Sequence, residues 1–211
     1  MKKYAIWMLV ILLTGSAKAQ VTTGFKVGAN YSYAAVKSPE GETIDVTGGT
    51  GFHAGMQLRI PFDVDLYFTP QFQYAYKTFT VNYNYADTSS IAMKYHYLEI
   101  PLLLEYHPNI DDRGFFAQFG PSFSIAAAGT QVINSDMHSS SSEPIKFAFA
   151  AYGRFEANLV ANLGYQFSPR LQATIGYAYG LGSIVDNDFG PSIKPRMATV
   201  SLHYWLPARS R

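Results

Sequence analysis

The 211-residue chain has no cysteine, so neither a disulfide nor a thiolate metal site holds it together. It is also poor in charge. Asp, Glu, Lys and Arg make up 15% of the residues, whereas soluble domains carry about 25%. A net charge of +1 offers nothing to attract nucleic acid or a strongly acidic partner. No apolar run reaches the roughly 20 residues that a membrane-spanning helix needs. Nucleophile-elbow motifs and phosphate-cradling glycine loops are missing too. His53, His96, His107, His138 and His203 lie far apart, without the HxH or HExxH spacing of a metal site. No catalytic residue, metal ligand or cofactor is therefore assigned.

What is present begins with a targeting pattern. Lys2 and Lys3 precede an apolar run from Ala5 to Leu13, and Ala17-Lys18-Ala19 supplies the small residues of a cleavage site. Residues 1–19 are expected to be a signal peptide and residues 20–211 a single exported domain. Gln20 would follow the cleavage site, and since it is not cysteine, a lipoprotein anchor is excluded. Aromatics are abundant, at 16% of the chain with 16 Tyr and 15 Phe.

The strongest signal is alternation with period two, the mark of β-strands. Phe25, Val27, Ala29, Tyr31 and Tyr33 alternate with small or polar residues, and so do Phe52 to Ile60, Leu66 to Tyr76 and Leu98 to Tyr106. Phe115 to Ile125, Phe155 to Tyr165, Leu171 to Tyr179 and Ala198 to Tyr204 repeat the pattern. Eight such segments are joined alternately by short turns (61–65, 108–114, 168–170) and long polar stretches (34–50, 78–93, 128–150, 183–195). This predicts an all-β, eight-stranded, antiparallel up-and-down transmembrane barrel with short periplasmic turns and long extracellular loops. The serine run at 139–142 is expected to be mobile. Pro70, Pro101 and Pro121 fall inside strands, where each predicts a bulge or break.

Volume decides which face points inward. An eight-stranded barrel has an interior only just wide enough for side chains. Roughly forty apolar side chains, many of them large, do not fit there, so they face lipid, and Gly, Ser, Asn and Gln fill the lumen. Tyr31, Tyr33, Tyr74, Tyr76, Tyr177 and Tyr179 are expected in an outer aromatic belt, and Tyr106, Tyr165 and Tyr204 in a periplasmic one. The lumen parity also carries Lys26, Arg59, Lys77, Glu99, Glu105, Arg154 and Glu156, expected as a structural ion-pair network rather than a proton or ion path. By position, Lys26, Arg59 and Glu105 share the periplasmic depth, and Lys77, Arg154 and Glu156 the outer one. The aromatic and acidic residues Tyr83, Tyr85, Asp87, Asp186, Asp188 and Phe189 in the long loops form the remaining candidate binding surface.

Several segments resemble the PorT-like outer-membrane β-barrel family of Bacteroidetes-type bacteria. They are Gly24-Phe25-Lys26-Val27-Gly28-Ala29-Asn30, Gly51-Phe52-His53-Ala54-Gly55, Tyr97-Leu98-Glu99-Ile100-Pro101-Leu102-Leu103-Leu104, Gly120-Pro121, Gly164-Tyr165 and Gly176-Tyr177. The resemblance implies an outer-membrane barrel with outer-membrane lipid around it and, as partners, other envelope or secretion proteins, since some such barrels are linked to type IX secretion. It implies no catalytic residue. The chain departs from the usual aromatic end of such barrels by running on through Leu206 to Arg211, which places the expected insertion signal within Tyr204 to Leu206. Together these readings describe a closed, non-enzymatic envelope scaffold. The alternatives are a lipid-modifying barrel enzyme using a Ser/His pair and a soluble ligand-binding barrel.

Overall fold

The computed structural model describes residues 21–85, 88–108, 113–134, 139–147, 152–185 and 190–207. The expected signal peptide lies outside them, as do Asp87, His138, Asp186, Asp188, Phe189 and the tail 208–211, and Tyr85 is described by its backbone alone.

Alternating segments become strands that no single edge could satisfy, and the chain closes them on themselves. The eight long strands are β1 (Thr22–Lys37), β3 (Val46–Asp63), β4 (Leu66–Tyr85), β5 (Thr88–Tyr106), β6 (Gly114–Asn134), β8 (Phe155–Ser168), β9 (Leu171–Gly180) and β10 (Ser192–Trp205). Each pairs antiparallel with the next, and β10 returns to β1 from Gly24↔Trp205 to Lys37↔Ser192, which leaves no open edge. Two short strands, β2 (Thr43–Ile44) and β7 (Ser141–Pro144), attach to β1 and β6 at the long-loop end. The β3–β4 turn is tight, with Asp65 at φ 60° and its carbonyl accepting the His107 N–H at 2.7 Å.

Two expectations need correction. The stretches 34–50 and 78–93 are mostly strand, because β1, β3, β4 and β5 continue well past their alternating apolar sets. The serine run is not loose: Ser141 and Ser142 pair with Ile133 and Val132. The prolines make the expected local break, and no bulge. Between Pro70↔Leu102 and Gln73↔Glu99, and again between Pro101↔Ser122 and Leu104↔Phe119, the pairing lapses for two residues and resumes in the same register. A missing N–H costs the ladder a bond there without shifting it.

In β1, β4, β5 and β10 one parity stays inward throughout, but the apolar residues change face partway up. In the lower part the apolar residues point outward, with Phe72, Leu98, Phe119, Leu163 and Val200 exposed on the wall and Gln57, Gln71, Gln118, Gln166 and Gln172 buried inside. Above Tyr76 the phase slips by one residue. Phe79 and Val81 of β4, Met93 and Tyr95 of β5, Ala34 and Val36 of β1 and Ile193 of β10 all point inward as an apolar core. The outward positions beside them are Thr78, Thr80 and Asn82, with Asn82 Nδ2 donating to Asp45 Oδ2 at 2.9 Å. The barrel is thus inside-out where its wall is apolar and conventional above. From Leu66 to Tyr76 the strand runs roughly 33 Å at ~3.3 Å per residue. With a tilt of about 40° this matches an apolar band ~25 Å tall.

Candidate functional site

The interior is built in three levels. Nearest the short turns, Arg59 Nη2 donates to Glu105 Oε1 at 2.6 Å, and the same carboxylate accepts Gln118 Nε2 at 2.7 Å and lies 3.2 Å from His107 Nδ1. The Arg59 guanidinium stacks 4.1 Å above the Trp205 ring, whose Nε1 donates to Gln172 Oε1 at 2.8 Å. Trp205 faces inward because β10 keeps its period to the end, placing Tyr204 on the wall and Trp205 in the lumen. Phe116 lies under His107 with ring centroids 5.0 Å apart, so aromatic planes close this end.

At mid-height Lys26 Nζ donates to Gln71 Oε1 at 3.1 Å, and His53 Nε2 lies 2.8 Å from Ser201 Oγ. His203 bridges Thr174 at 2.9 Å and Gln57 at 2.8 Å. Higher still, Lys77 Nζ sits 2.8 Å from Glu99 and 2.9 Å from Glu156, with its ammonium 4.5 Å from the centre of the Tyr97 ring. Gln73 and Asn158 donate to these two carboxylates at 2.7 Å each. Among the described residues the buried charges are Lys26, Arg59 and Lys77 against Glu99, Glu105 and Glu156, three of each sign. Lys77 holds two carboxylates while Lys26 holds none, so the lumen is neutral as a whole, not pair by pair.

The expected network is therefore gathered in part. Arg59 meets Glu105, and Lys77 meets Glu99 and Glu156. Lys26 lies above the Arg59 level and bonds to an amide. Arg154 is a correction, because it precedes β8, where the strand parity no longer applies. It is exposed, and its guanidinium lies 5.2 Å from the centre of the Phe147 ring.

The Ser/His pair that an enzyme reading requires does form, between Ser201 and His53, but inside the barrel. Both residues are buried, and His53 Nδ1 has no hydrogen-bond partner among the described residues, so no carboxylate orients the ring. A lipid in the surrounding bilayer cannot reach this pair through the closed wall. The described residues also contain no group of three His, Cys, Asp or Glu placed to hold a metal.

The outer end is stoppered by the loops. Ile145, Phe147, Tyr152 and Ile184 turn inward onto Tyr95 and Phe79, whose rings stack at 6.0 Å. Backbone bonds fix them, Ile145 N to Gly129 O at 2.9 Å and Gly153 N to Ile184 O at 2.8 Å. Burial in this cap pushes the Tyr152 hydroxyl pKa up and keeps it neutral. Between cap and lower levels the interior holds cavities of about 10 Å³, beside Lys77, and 20 Å³, beside Lys26 and His53. A single water needs roughly 10–15 Å³, so neither forms a passage. Composition signalled the polar lumen, but the cap was hidden because its residues fall in segments rich in Ser, Asn and Thr.

On the wall, Tyr31, Tyr33, Tyr74, Tyr76, Tyr177 and Tyr179 face outward at the upper limit of the apolar band, and Tyr106, Tyr165 and Tyr204 at the lower. The upper set is cross-linked, Tyr33 Oη to Tyr177 Oη at 2.8 Å and Tyr74 Oη to His96 Nδ1 at 2.5 Å. In the lower set Tyr165 packs edge-on against Phe115 and Phe167 at 4.9 and 5.2 Å.

Comparison with known proteins agrees with this architecture. Residues 16–186 match the family model of the outer membrane protein beta-barrel domain. The match stops before β10, the strand that closes the barrel. A search of curated proteins gave no match. Similar solved structures include the outer membrane protein OprG of Pseudomonas aeruginosa, at 10% identity and TM-score 0.48, covering 92% of this chain and 100% of that one. Ail, the attachment invasion locus protein of Yersinia pestis, is 16% identical with TM-score 0.46, covering 88% and 99%. Neisserial surface protein A is 12% identical with TM-score 0.46, covering 85% and 96%.

Proposed function

The chain belongs to the outer membrane protein β-barrel domain family, and from that premise we propose that it is a sealed, non-enzymatic scaffold of the cell envelope. The observation that carries this is the interior. Among the described residues, ion pairs at two levels, the aromatic planes of Trp205 and Phe116 and the apolar cap pack it, leaving between them cavities of only about 10 and 20 Å³. A lumen packed in this way serves rigidity rather than transport. The two rows of outward tyrosines act as interfacial belts that fix the depth of the barrel in the bilayer.

The cap then presents a firm β-structured platform outside the lipid, suited to holding envelope partners. A role accessory to protein secretion is the specific form supported by the PorT-like resemblance. Its most specific segment, Tyr97 to Leu102, supplies Glu99 to the Lys77 cluster and so belongs to the packed lumen. The soluble-barrel alternative is set aside, because large apolar side chains such as Phe115 (78% exposed) and Phe155 (75%) cover the wall.

Planar-bilayer recording tests the sealed lumen. Purified barrel inserted into a bilayer should add no steady conductance, and a stable, reproducible open channel would refute the proposal.

A further inference from the structure

On the wall formed by β1, β9 and β10, a cluster of cations sits on the upper aromatic row. Arg196 points outward, its guanidinium 3.7 Å from the centre of the Tyr179 ring. Across the ladder it faces Tyr33, whose hydroxyl meets that of Tyr177 at 2.8 Å. Lys194, opposite Ala35, and Lys37, opposite Ser192, follow upward on the same face and are both exposed. Lys194 stands about 6.6 Å along the strand from Arg196, at ~3.3 Å per residue. Among the described residues no carboxylate lies within 4.0 Å of any of the three. Three cations that repel one another at the edge of an apolar band call for an anion at that level.

Below this cluster and to one side of it, where β6, β8 and β9 run, the wall is indented. A groove of about 480 Å³ is lined by Ala117, Phe119, Ala161, Leu163, Ile175 and Tyr177. Register explains it. Ala161 lies between Phe119 and Tyr177 on neighbouring strands, so a small residue forms a floor between large ones. The groove is shallow and open to the lipid, and its lining is mainly apolar. Tyr177 joins the two halves, with its hydroxyl in the polar row and its ring on the groove.

We propose that this wall binds one phosphorylated, multiply acylated glycolipid of the outer leaflet, with phosphate on Arg196, Lys194 and Lys37 and an acyl chain in the groove. The inference rests on the outer-membrane reading and on the long-loop end being extracellular, which follows from the short turns at the other end. The cations then lie at headgroup depth in the leaflet facing outward, and the groove at acyl depth beneath. Their spacing along the strands suits a headgroup carrying more than one phosphate.

Native mass spectrometry of the detergent-purified barrel tests it, with bis-phosphorylated lipid A as the probe. Dephosphorylated lipid A and phosphatidylglycerol serve as comparisons. One lipid A should bind per barrel. Replacing all three cations (Arg196→Gln, Lys194→Gln, Lys37→Gln) should weaken binding at least tenfold, as should removing the phosphates. Ala161→Phe, which fills the groove, should weaken it independently. All changes are on the outer wall, and heat-modifiable gel migration verifies that each variant is folded. Unchanged affinity of the triple variant overturns the proposal, and so does equal binding of phosphatidylglycerol, which would make the site one for any anionic lipid. Conductance is unaffected by these variants, so failure of the lipid site is distinguishable from failure of the sealed-lumen reading.

Discussion

Glu105→Ala tests the lower level of the lumen most sharply. The carboxylate accepts from Arg59 at 2.6 Å and Gln118 at 2.7 Å, and both charged side chains are almost wholly buried. Its removal leaves the Arg59 guanidinium without a counter-ion, a loss of roughly 3–5 kcal/mol for a buried pair. Stacking on Trp205 is common to parent and variant and cancels in the difference, while water entering beside the shortened side chain favours the lower end of that range. The expected destabilisation is therefore about 3 kcal/mol, or more than a hundredfold in the folding equilibrium. Trp205 is one of two tryptophans in the chain, and Trp7 lies in the expected signal peptide, so a chain beginning at Gln20 reports unfolding from within the lesion itself. Urea titration of that chain in lipid vesicles, followed by fluorescence, gives the number. The double replacement Arg59→Leu with Glu105→Leu should recover to within about 1 kcal/mol of the parent, since an apolar pair incurs no charge penalty. A loss below about 1 kcal/mol for Glu105→Ala, or a double variant as unstable as the sum of the singles, would refute the ion pair as a fastening of the barrel.

The cap should fail separately. Phe79→Ala removes a ring buried against Tyr95 and should cost roughly 3–5 kcal/mol locally. Protease should then cut the outer hairpins while heat-modifiable migration persists, and intact hairpins would argue against a packed cap. A deletion strain should export less of its secreted protein if the accessory secretion role holds, and an unchanged secreted profile removes that role.

Much of the lower barrel is legible in the sequence, because period two and volume together decide both the strands and their faces. Phe25, Leu98 and Val200 stand on the wall for that reason. The upper barrel is harder to read. There the alternation continues with its phase reversed, and Phe79, Val81 and Tyr83 read like sparse apolar residues in a polar loop when the interface tyrosines just before them are taken as the strand's end. The slip between Tyr76 and Phe79, and between Tyr97 and Leu98, is visible in the sequence as two adjacent alternations of opposite phase. Pairing across the lumen is not visible. Nothing local tells Lys26 to meet Gln71 rather than a carboxylate, since partners 45 residues apart depend on strand stagger.

The reversal of faces also bears on how the chain enters its bilayer. To reach the far side, the β4–β5 hairpin must carry Thr78, Thr80, Asn82 and Lys94 across the hydrocarbon while they point away from the axis. A lysine at the midplane alone opposes the crossing by about 2–4 kcal/mol. Once across, the same side chains become a latch, because withdrawal would drag them back through oil.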